Sequence, residues 1–361
     1  MKKNSLEIYF SSNPFDWNQD FKEQKIFEEL SSLIEHHRMF CEHYNKILEA
    51  TKFKKQNLKN NDDIPFLPVR LFKYYDLKSI KKEKIIKTLT SSGTTSELVS
   101  KIYLDKETAK LQTKALANIM YSFLGKKRLP MLIIDTKDIL KNRESFSARG
   151  AGIMGMMNFG RDHQYLLNQK MQIDFDVVES FLEKYNGQTI LLFGFTFMVW
   201  EYFFEEMKRQ KKSFDFSKAI LIHSGGWKKL IDRAVDNETF KKSIEDLSKI
   251  KKIHNFYGMV EQIGSVYVEC EEGVLHAPSF SDIILRNPKN WEPVKSFNEK
   301  GVIETISILP RSYPGHAILT EDEGIVLGVD DCKCGRRGKY FKIIGRLPKA
   351  EMRGCSDTHE Q

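Results

Sequence analysis

The run TILLF, residues 189–193, is short and apolar, and two runs of the same kind follow it, AILIH at residues 219–223 and KIHNF at residues 252–256. MLIID, residues 131–135, precedes them with a similar composition. Runs of this length, rich in β-branched and aromatic residues, predict buried β-strands. Segments with helical periodicity lie between them and begin near Lys106, Asp176, Trp200 and Glu238. This alternation of strands and helices favours an α/β fold with a largely parallel sheet.

The two ends of the chain differ from this middle part. Apolar residues recur at helical spacing within residues 16–53, which predicts amphipathic helices, and a proline-rich loop, NLKNNDDIPFLPVR, follows. From Asp282 onward, DIILR, GVIETISI and GIVLGVD predict strands without long helices between them. We therefore expect a helical region at residues 1–88, a core at residues 89–345 that ends in a β-rich part, and a flexible tail at residues 346–361.

The composition is that of a globular protein with a positively charged surface. Of 361 residues, 41% are hydrophobic and 12% aromatic, and the formal net charge is +8. The lysines are mixed with glutamates, as in KKEKIIK and EEMKRQKK, and no basic stripe carries interleaved aromatic residues. This pattern argues against a nucleic-acid partner and indicates a solvated surface that helps to attract a phosphate-bearing ligand.

Two features predict a cytoplasmic protein without a membrane span. The N-terminal residues MKKNSLEIYF contain no apolar segment of the kind found in signal peptides, and the most apolar run, TILLFGFTFMVW, is shorter than the ~20 residues of a membrane span. Five cysteines, an odd number without a secretory signal, suggest a reducing compartment. In that setting, clustered cysteines indicate a metal site or chemistry rather than disulfides.

The segment LTSSGTTSE, residues 89–97, is rich in hydroxyl groups. Glycine allows the backbone to approach a ligand closely, and hydroxyl and N–H groups can surround phosphate oxygens. The segment is not a Walker motif, because no Gly-Lys-Ser/Thr follows. It predicts a phosphate-binding loop or, as the alternative, a solvated turn. The residues concerned are Ser91, Ser92, Gly93, Thr94 and Thr95.

A second segment, NFYGMVEQIG at residues 255–264, follows a predicted strand. Tyr257 offers a stacking face, Gly258 permits close approach, and Glu261 offers a carboxylate. Mg²⁺ bound to nucleotide phosphates takes one or two protein carboxylates. Taken alone, the segment is also compatible with an ordinary turn after a strand.

The order of the motifs is more specific than any one of them. The hydroxyl-rich segment, the Tyr-Gly-x-x-Glu, a Thr-x-Asp in ILTEDEGIV and a Gly-Arg in KIIGRLPKAEMRG follow one another along the chain. This order resembles the adenylate-forming ligases, which make acyl-AMP from a carboxylic acid and ATP. Within them the chain is most similar to the bacterial acyl-protein synthetases, the fatty-acid-activating subunits of the bioluminescence fatty-acid reductase complex, which are related to phenylacetate–CoA ligase. The resemblance extends from IPFLPVRLFK to the end and is carried by SSGTT, SGGWKK, YGMVEQ and RGCSDT.

The resemblance implies the large-domain architecture of these ligases, with ATP and Mg²⁺ as cofactors and a carboxylic acid, such as a fatty acid, as substrate. Residues 91–95 would hold the ATP phosphates, and Glu261 would bind Mg²⁺. Tyr257 would lie against the adenine, which the SGGW turn, with Gly225 and Gly226, would also line. Asp322 and Arg346 would hold the ribose hydroxyls.

The sequence departs from the ligase pattern at three places. Ser96 stands where the loop usually has a third glycine, and Val260 stands where most ligases have Thr or Ser. Only fifteen residues follow Arg346, so we expect the small C-terminal lid domain, with its lysine, to be absent. A coenzyme A tunnel made by that lid would then be absent in its usual form.

Cys355 is a candidate acyl acceptor, because it stands where such a lid would begin. A thiolate is a suitable nucleophile for an acyl phosphate anhydride. Lys349 and Arg353 would favour the thiolate form of Cys355, whereas Glu351 and Asp357 would disfavour it. A tethered thiol would react intramolecularly, at high effective concentration. The acyl group would then pass to a partner such as an acyl reductase.

A second set of residues could hold a metal ion. VECEEGVLHAP contains Cys270 and His276, and DDCKCGRRG contains Cys332 and Cys334. Three cysteines and one histidine are a normal structural zinc set, and some relatives of phenylacetate–CoA ligase have zinc sites at similar positions. The alternative is a set of free thiols with a surface histidine.

Other functions remain open at the level of sequence. The chain could be a ligase that uses free coenzyme A or a carrier protein, with Cys355 incidental, or a non-catalytic adenylate-binding subunit. His223 and His163 could face the acyl site, although core or surface histidines are the commoner case. The tract GAGIMGMMNFG, residues 150–160, could line an acyl tunnel or simply pack in the core.

Overall fold

Helices and strands alternate through the middle of the chain and give way to strands towards its end. The computed structural model describes residues 6–91, 98–140, 148–227 and 232–347. In these ranges the strands are β1 (Leu67–Pro68), β2 (Lys87–Thr90), β3 (Lys101–Leu104), β4 (Leu129–Thr136), β5 (Gly160–Leu167), β6 (Ile190–Phe195), β7 (Ala219–Ser224), β8 (Lys252–Tyr257), β9 (Tyr267–Glu269), β10 (Leu275–His276), β11 (Ser281–Arg286), β12 (Lys300–Ser307), β13 (Ala317–Val329) and β14 (Lys339–Arg346). The helices are α1 (Gln19–Phe40), α2 (Glu42–Ala50), α3 (Leu71–Tyr74), α4 (Lys106–Leu124), α5 (Ala148–Met157), α6 (Phe175–Lys184), α7 (Thr196–Met198), α8 (Glu206–Arg209) and α9 (Asn237–Ser248). A π-helical segment, Val199–Glu205, joins α7 to α8.

Most strands belong to one mixed sheet. Its order is β11-β12-β13-β14-β10-β9-β8-β7-β6-β4-β5, with β1 paired to β13, while β2 and β3 form a separate hairpin. Strands β4 to β8 are parallel to one another, and β9 to β14 continue the sheet through antiparallel pairs. The predicted α/β fold with a largely parallel centre is thus confirmed, and the β-rich C-terminal part extends the same sheet.

Both faces of the parallel strands are buried, which explains their continuous apolar sequences. Along β4, Met131 and Ile133 face a core shared with α1, α2, α4 and α5, whereas Leu132 and Ile134 face a core shared with α6, the π-helical segment and α9. This alternation follows from the two-residue period of a strand. Helices therefore cover the parallel part of the sheet on both sides.

The N-terminal helices pack onto the sheet through apolar residues and one buried ion pair. The helical region predicted for residues 16–53 consists of α1 and α2, which meet at Cys41. The side chain of Asn18 caps α1 by accepting the Phe21 N–H. Lys22 Nζ lies 3.3 Å from Asp282 Oδ1, with both side chains buried. This contact joins α1 to β11.

Some elements differ from what the sequence pattern predicts, and the clearest cases are these. The helix expected near Trp200 begins at Thr196, and β13 begins at Ala317, well before GIVLGVD. Strand β5 was not predicted, because it is an edge strand whose central residues are partly exposed and polar. None of the helices in the described ranges has the length and apolarity needed to cross a membrane.

Candidate active site and metal cluster

The carboxyl ends of β7 and β8 lie side by side at one edge of the sheet. Strand β7 ends at Ser224, which pairs with Phe256 of β8, and the Ser224 hydroxyl donates to the Phe256 carbonyl at 2.9 Å. Gly225 and Gly226 continue from β7, and Tyr257 ends β8. Ligands of α/β proteins bind in the crevice outside such strand ends. Two of the predicted nucleotide-binding motifs therefore lie together where a ligand is expected.

The glycine turn after β7 presents backbone without side chains. Gly225 has a φ of +83°, in the left-handed region that favours glycine, and a Cβ there would stand 3.1 Å from Cδ1 of Phe195. A Cβ at Gly226 would meet no heavy atom within 4 Å. Trp227 packs instead against Trp200, with ring centroids 5.5 Å apart. Gly226 thus leaves open space just after the strand end, and the half-buried Trp227 ring packs on the core beside it.

Glu261 lies just beyond β8, in the 3₁₀ turn Val260–Gln262, and is 6% exposed. No lysine or arginine of the described residues forms an ion pair with its carboxylate. Burial raises the pKa of Glu261, and Ser100, Lys73 and Arg346 act in the opposite direction. A buried carboxylate in this setting fits a divalent cation, which would neutralise its charge.

Ser91 and Ser100 join the two ends of the hydroxyl-rich loop. The Ser91 N–H donates to the Ser100 carbonyl at 3.2 Å, and the Ser100 N–H donates to Ser91 Oγ at 2.9 Å. Strand β3, which begins directly after Ser100, contacts the Val260–Gln262 turn, so the two ends of the loop lie near Glu261. The other predicted phosphate-binding residues, Ser92, Gly93, Thr94 and Thr95, lie outside the described residues.

Tyr257, Asp322 and Arg346 meet beside the same strand ends. The Tyr257 hydroxyl donates to Asp322 Oδ2 at 2.7 Å, and burial raises the pKa of Tyr257 well above its usual value. Asp322 of β13 pairs in register with Arg346 of β14, and Arg346 Nε lies 3.9 Å from Asp322 Oδ1. Arg346 also contacts Glu321 at 3.2 Å, and Arg70 pairs with the same glutamate. The structure thus brings together the residues that the resemblance assigns to adenine and ribose.

Cys270, His276, Cys332 and Cys334 form a Cys/His cluster whose ligand atoms all lie within 4.8 Å of one another. Cys270 Sγ is 3.9 Å from Cys332 Sγ, and Cys334 Sγ is 3.4 Å from His276 Nε2. Tetrahedral zinc with Zn–S of about 2.3 Å and Zn–N of about 2.0 Å places its ligands roughly 3.5–3.8 Å apart. Both of these distances, each between a ligand of one predicted pair and a ligand of the other, are close to that spacing, and the four ligand atoms converge on one place that a zinc ion could occupy.

The electrostatics of the Cys/His cluster depend on whether a metal is bound. Burial raises the pKa of Cys270 to about 12 and raises that of Cys332, and it lowers the pKa of His276 to about 4. Without a metal, the thiols of Cys270 and Cys332 would keep their protons at neutral pH and the imidazole of His276 would be neutral. A zinc ion would displace the thiol protons, so its binding would release acid.

The two other candidate histidines have polar partners within the protein. His223 is buried, its Nδ1 lies 3.0 Å from the Thr196 hydroxyl, and its ring packs 4.6 Å from Phe240. Burial lowers its pKa to about 3. His163 Nε2 lies 3.0 Å from the Met157 carbonyl. His223 is therefore a neutral core histidine, and His163 has a backbone partner.

Lys73 and Ser100 were not predicted from the sequence, although both lower the pKa of Glu261. Lys73 lies in the IPFLPVRLFK segment that carries part of the resemblance, so its position could have been noted. Ser100 could have been found by asking which residues close the hydroxyl-rich loop. Cys355, with Lys349 and Arg353, lies outside the described residues.

Comparison with known proteins agrees with the motif order. The family model described as acyl-protein synthetase, LuxE, matches residues 3–361. The long-chain-fatty-acid–luciferin-component ligase of Aliivibrio fischeri is 24% identical, covering 97% of this chain and 92% of that protein. The ligase of the same name from Vibrio harveyi is 20% identical, covering 98% of this chain and 92% of that protein.

Solved structures with the same fold include a ligase. An open conformation of 2-hydroxyisobutyryl-CoA ligase, in complex with 2-HIB-AMP and CoA, matches with a TM-score of 0.67 at 14% identity, covering 96% of this chain and 81% of that one. The thioesterification state of the same ligase gives a TM-score of 0.68 at 14% identity, covering 91% of this chain and 69% of that one. The fold is therefore that of the adenylate-forming ligases.

Proposed function

The chain belongs to the acyl-protein synthetase family LuxE, and from this premise we propose that it activates a long-chain fatty acid with ATP and then carries the acyl group as a thioester on its own Cys355. Two relatives that match over 92% of their length are named long-chain-fatty-acid–luciferin-component ligases, which supports a long-chain fatty acid as the substrate. The observation that carries the proposal is the buried Glu261 carboxylate just beyond the strand ends, in a turn that contacts the strand following Ser100, whose N–H donates to Ser91 Oγ.

Glu261 is the residue that would hold Mg²⁺. Its buried carboxylate has no ion-pair partner in the described part of the chain, and a hard cation takes such oxygen ligands. When bound, Mg²⁺ supplies positive charge that offsets the charge of the triphosphate. Ser91 and the loop that it begins would hold phosphate oxygens, and Lys73 would add a positive charge on the same side.

In the activation step, a carboxylate oxygen of the fatty acid attacks the α-phosphorus of ATP. The new bond joins that oxygen to phosphorus, the bond to the pyrophosphate oxygen breaks, and pyrophosphate leaves. The protein positions the nucleotide: Tyr257 would lie against the base, and Asp322 with Arg346 would hold the ribose hydroxyls. Holding both reactants in place contributes through proximity and orientation.

In the transfer step, the thiolate of Cys355 attacks the acyl carbonyl carbon of acyl-AMP. The thioester bond forms, the bond between the carbonyl carbon and the phosphate oxygen breaks, and AMP leaves; the thiol proton passes to solvent before attack. The thioester then passes to an acceptor protein, such as an acyl reductase. A tethered thiol supports this step because its effective concentration near the site is high.

We assign the Cys/His cluster a structural rather than a catalytic role. Three thiols and an imidazole that fill all four positions of a tetrahedral metal leave no open position for a substrate. A zinc ion there would join strands of the β-rich part. The activation step would not use it.

The transfer step is tested by Cys355→Ser. We expect the variant to keep acid-dependent pyrophosphate release and to lose the hydroxylamine-sensitive acyl label, because a serine hydroxyl without an adjacent base is a far weaker nucleophile. The measurement is the intact mass of the chain after addition of ATP and a panel of acids. Ser356→Ala, a neighbouring change that leaves the thiol in place, serves as the control.

Two results would overturn parts of this proposal. If the Cys355→Ser chain is acylated as fast as the parent, the thiol is incidental, and a ligase that uses free coenzyme A or a carrier protein becomes the better interpretation. If the parent releases no pyrophosphate with any acid of the panel, the activation step itself is wrong.

A further inference from the structure

The backbone of the Glu261 turn is held from behind by two buried side chains. The Tyr313 hydroxyl donates to the Glu261 carbonyl at 2.9 Å, and Tyr313 is wholly buried. The next residue, Gln262, donates from Nε2 to the carbonyls of Thr305 and Gly315, each at 2.9 Å. The orientation of Glu261 therefore depends on contacts with a segment that lies more than forty residues further along the chain.

Helix α4 reaches the same tyrosine from the other side. Gln112 Nε2 lies 3.3 Å from the Tyr313 hydroxyl and donates to it. The backbone of Gln112 also packs against Gly264, where a Cβ would stand 2.7 Å from the Gln112 carbonyl oxygen. Helix α4 follows β3, which begins directly after Ser100. Tyr313 thus connects the Glu261 turn to the element that continues from the hydroxyl-rich loop.

The space around this contact is full. A Cβ on Gly315 would stand 2.8 Å from the Glu261 carbonyl oxygen, so the segment that carries Tyr313 touches the turn directly. A 3₁₀ turn of three residues has few hydrogen bonds of its own. Its direction must therefore be set by the partners that surround it.

We infer that Tyr313 is a positioning residue for the activation step: its hydroxyl holds the Glu261 carbonyl and so fixes the direction of the Glu261 side chain. The inference rests on the proposed role of Glu261. Without the hydroxyl, the buried carbonyl loses its partner and the turn gains other orientations. The carboxylate then meets the cation for only part of the time, which weakens the apparent affinity by that fraction.

The test is the Mg²⁺ dependence of acid-dependent pyrophosphate exchange in Tyr313→Phe. Outer-shell changes lower metal affinity by about 10–100-fold, so we expect the Mg²⁺ concentration for half-maximal rate to rise by roughly tenfold or more. The rate at saturating Mg²⁺ should fall much less, because all the groups that contact the substrates remain. A merely structural tyrosine would not separate these two quantities.

Tyr44→Phe is the matched control. Tyr44 is also wholly buried, and its hydroxyl lies 3.2 Å from Nε2 of His316, away from the Glu261 turn. The Tyr44→Phe variant should lose about as much thermal stability as Tyr313→Phe and keep the Mg²⁺ dependence of the parent protein. If Tyr313→Phe fails to fold, Gln112→Met, which removes only the bond from α4 to the tyrosine, should raise the Mg²⁺ requirement in the same direction by a smaller factor.

Failure of this inference and failure of the proposed function give different results. If Glu261→Gln raises the Mg²⁺ requirement while Tyr313→Phe behaves like Tyr44→Phe, the positioning role is wrong and Glu261 keeps its role. If Gln112→Met is the variant used and leaves the requirement unchanged, the positioning role is equally wrong. If Glu261→Gln leaves the Mg²⁺ dependence unchanged, the role of Glu261 falls, and the positioning role falls with it.

Discussion

The Glu261 carboxylate is buried beside Ser100, and among the described lysines and arginines none neutralises it at ion-pair distance. Removing such a charge from water costs several kcal/mol unless a partner compensates. The raised pKa of Glu261 expresses this cost in the free protein. A bound cation would offset this energetic cost. Glu261 therefore destabilises the free protein and is suited to binding the metal–nucleotide complex.

Glu261→Gln separates these two effects. We expect acid-dependent pyrophosphate exchange to fall by about 100-fold or more, the scale of losing a main electrostatic stabiliser. The melting temperature without Mg²⁺ should stay the same or rise, because the neutral amide removes the charge that burial penalises. The measurements are exchange assays and thermal melts of both chains, with the exposed Glu238→Gln as the control. Near-normal exchange in Glu261→Gln would remove this residue from the mechanism.

At the level of elements, the Cys/His cluster joins two hairpins of the β-rich part. Cys270 directly follows β9 and His276 ends β10, while Cys332 and Cys334 lie in the turn between β13 and β14. Strands β10 and β14 pair, so the two hairpins are already neighbours. In the same turn, Asp330 accepts the Gln19 N–H of α1 at 2.9 Å. A metal at this position would stabilise the junction of the β-rich part with the N-terminal helix.

The purified protein should therefore carry about one zinc ion per chain, as expected for a closed set of three thiols and one imidazole. Cys332→Ser should lower both zinc content and melting temperature, because structural metal binding contributes to folding free energy. Elemental analysis and thermal melts provide the measurement. Cys41→Ser removes a buried thiol outside the cluster and should keep the zinc. Absence of zinc from protein produced with zinc available would contradict the assignment and leave the activation step untouched.

At the level of the whole molecule, buried neutral histidines lie in both cores. The rings of His37 and His316 stack 5.0 Å apart between α1 and the segment before β13, and His223 lies in the core on the other face of the sheet. Burial lowers the pKa of His37 well below its usual range and lowers those of His316 and His223 to about 3. Glu304 acts in the opposite sense, because burial raises its pKa to about 7.

These shifts predict that stability falls in acid. Below the unfolded pKa of about 6.5, each histidine takes up a proton in the unfolded chain but not in the folded one, so stability decreases as pH falls from about 6.5 towards 3. Each histidine contributes up to about 1.4 kcal/mol per pH unit in this window. Glu304 offsets part of the loss, since its contribution rises as pH falls from about 7 to 4.5.

Urea unfolding at a series of pH values between 7 and 4 measures this slope. His223→Gln keeps a hydrogen-bonding side chain for Thr196 and cannot be protonated in this range, so its stability should depend less steeply on pH. Thr113→Ser, an exposed change that alters no titratable group, should leave the slope unchanged. Equal slopes in His223→Gln and the parent would show that this histidine does not contribute.

The local pattern of the chain was sufficient to predict four of the five parallel strands β4 to β8, because a strand buried on both faces needs a continuous apolar run such as TILLF or AILIH. The members of the Cys/His cluster and the order of the motifs could also be predicted from the sequence, because cysteine and histidine at short spacing are typical of metal sites. The edge strand β5 was not, because one exposed face weakens its apolar signal.

Contacts between residues far apart in sequence could be identified only from the tertiary structure. Tyr313 and the Glu261 carbonyl are 52 residues apart in sequence, and Lys22 and the Ala277 carbonyl that it contacts are 255 apart. Nothing in the residues next to Tyr313 marks it as a partner of Glu261. The type of a side chain determines which hydrogen bonds it can form. Which of the many possible partners it contacts depends on burial and packing, which are established only in the folded arrangement of the sheet and its helices.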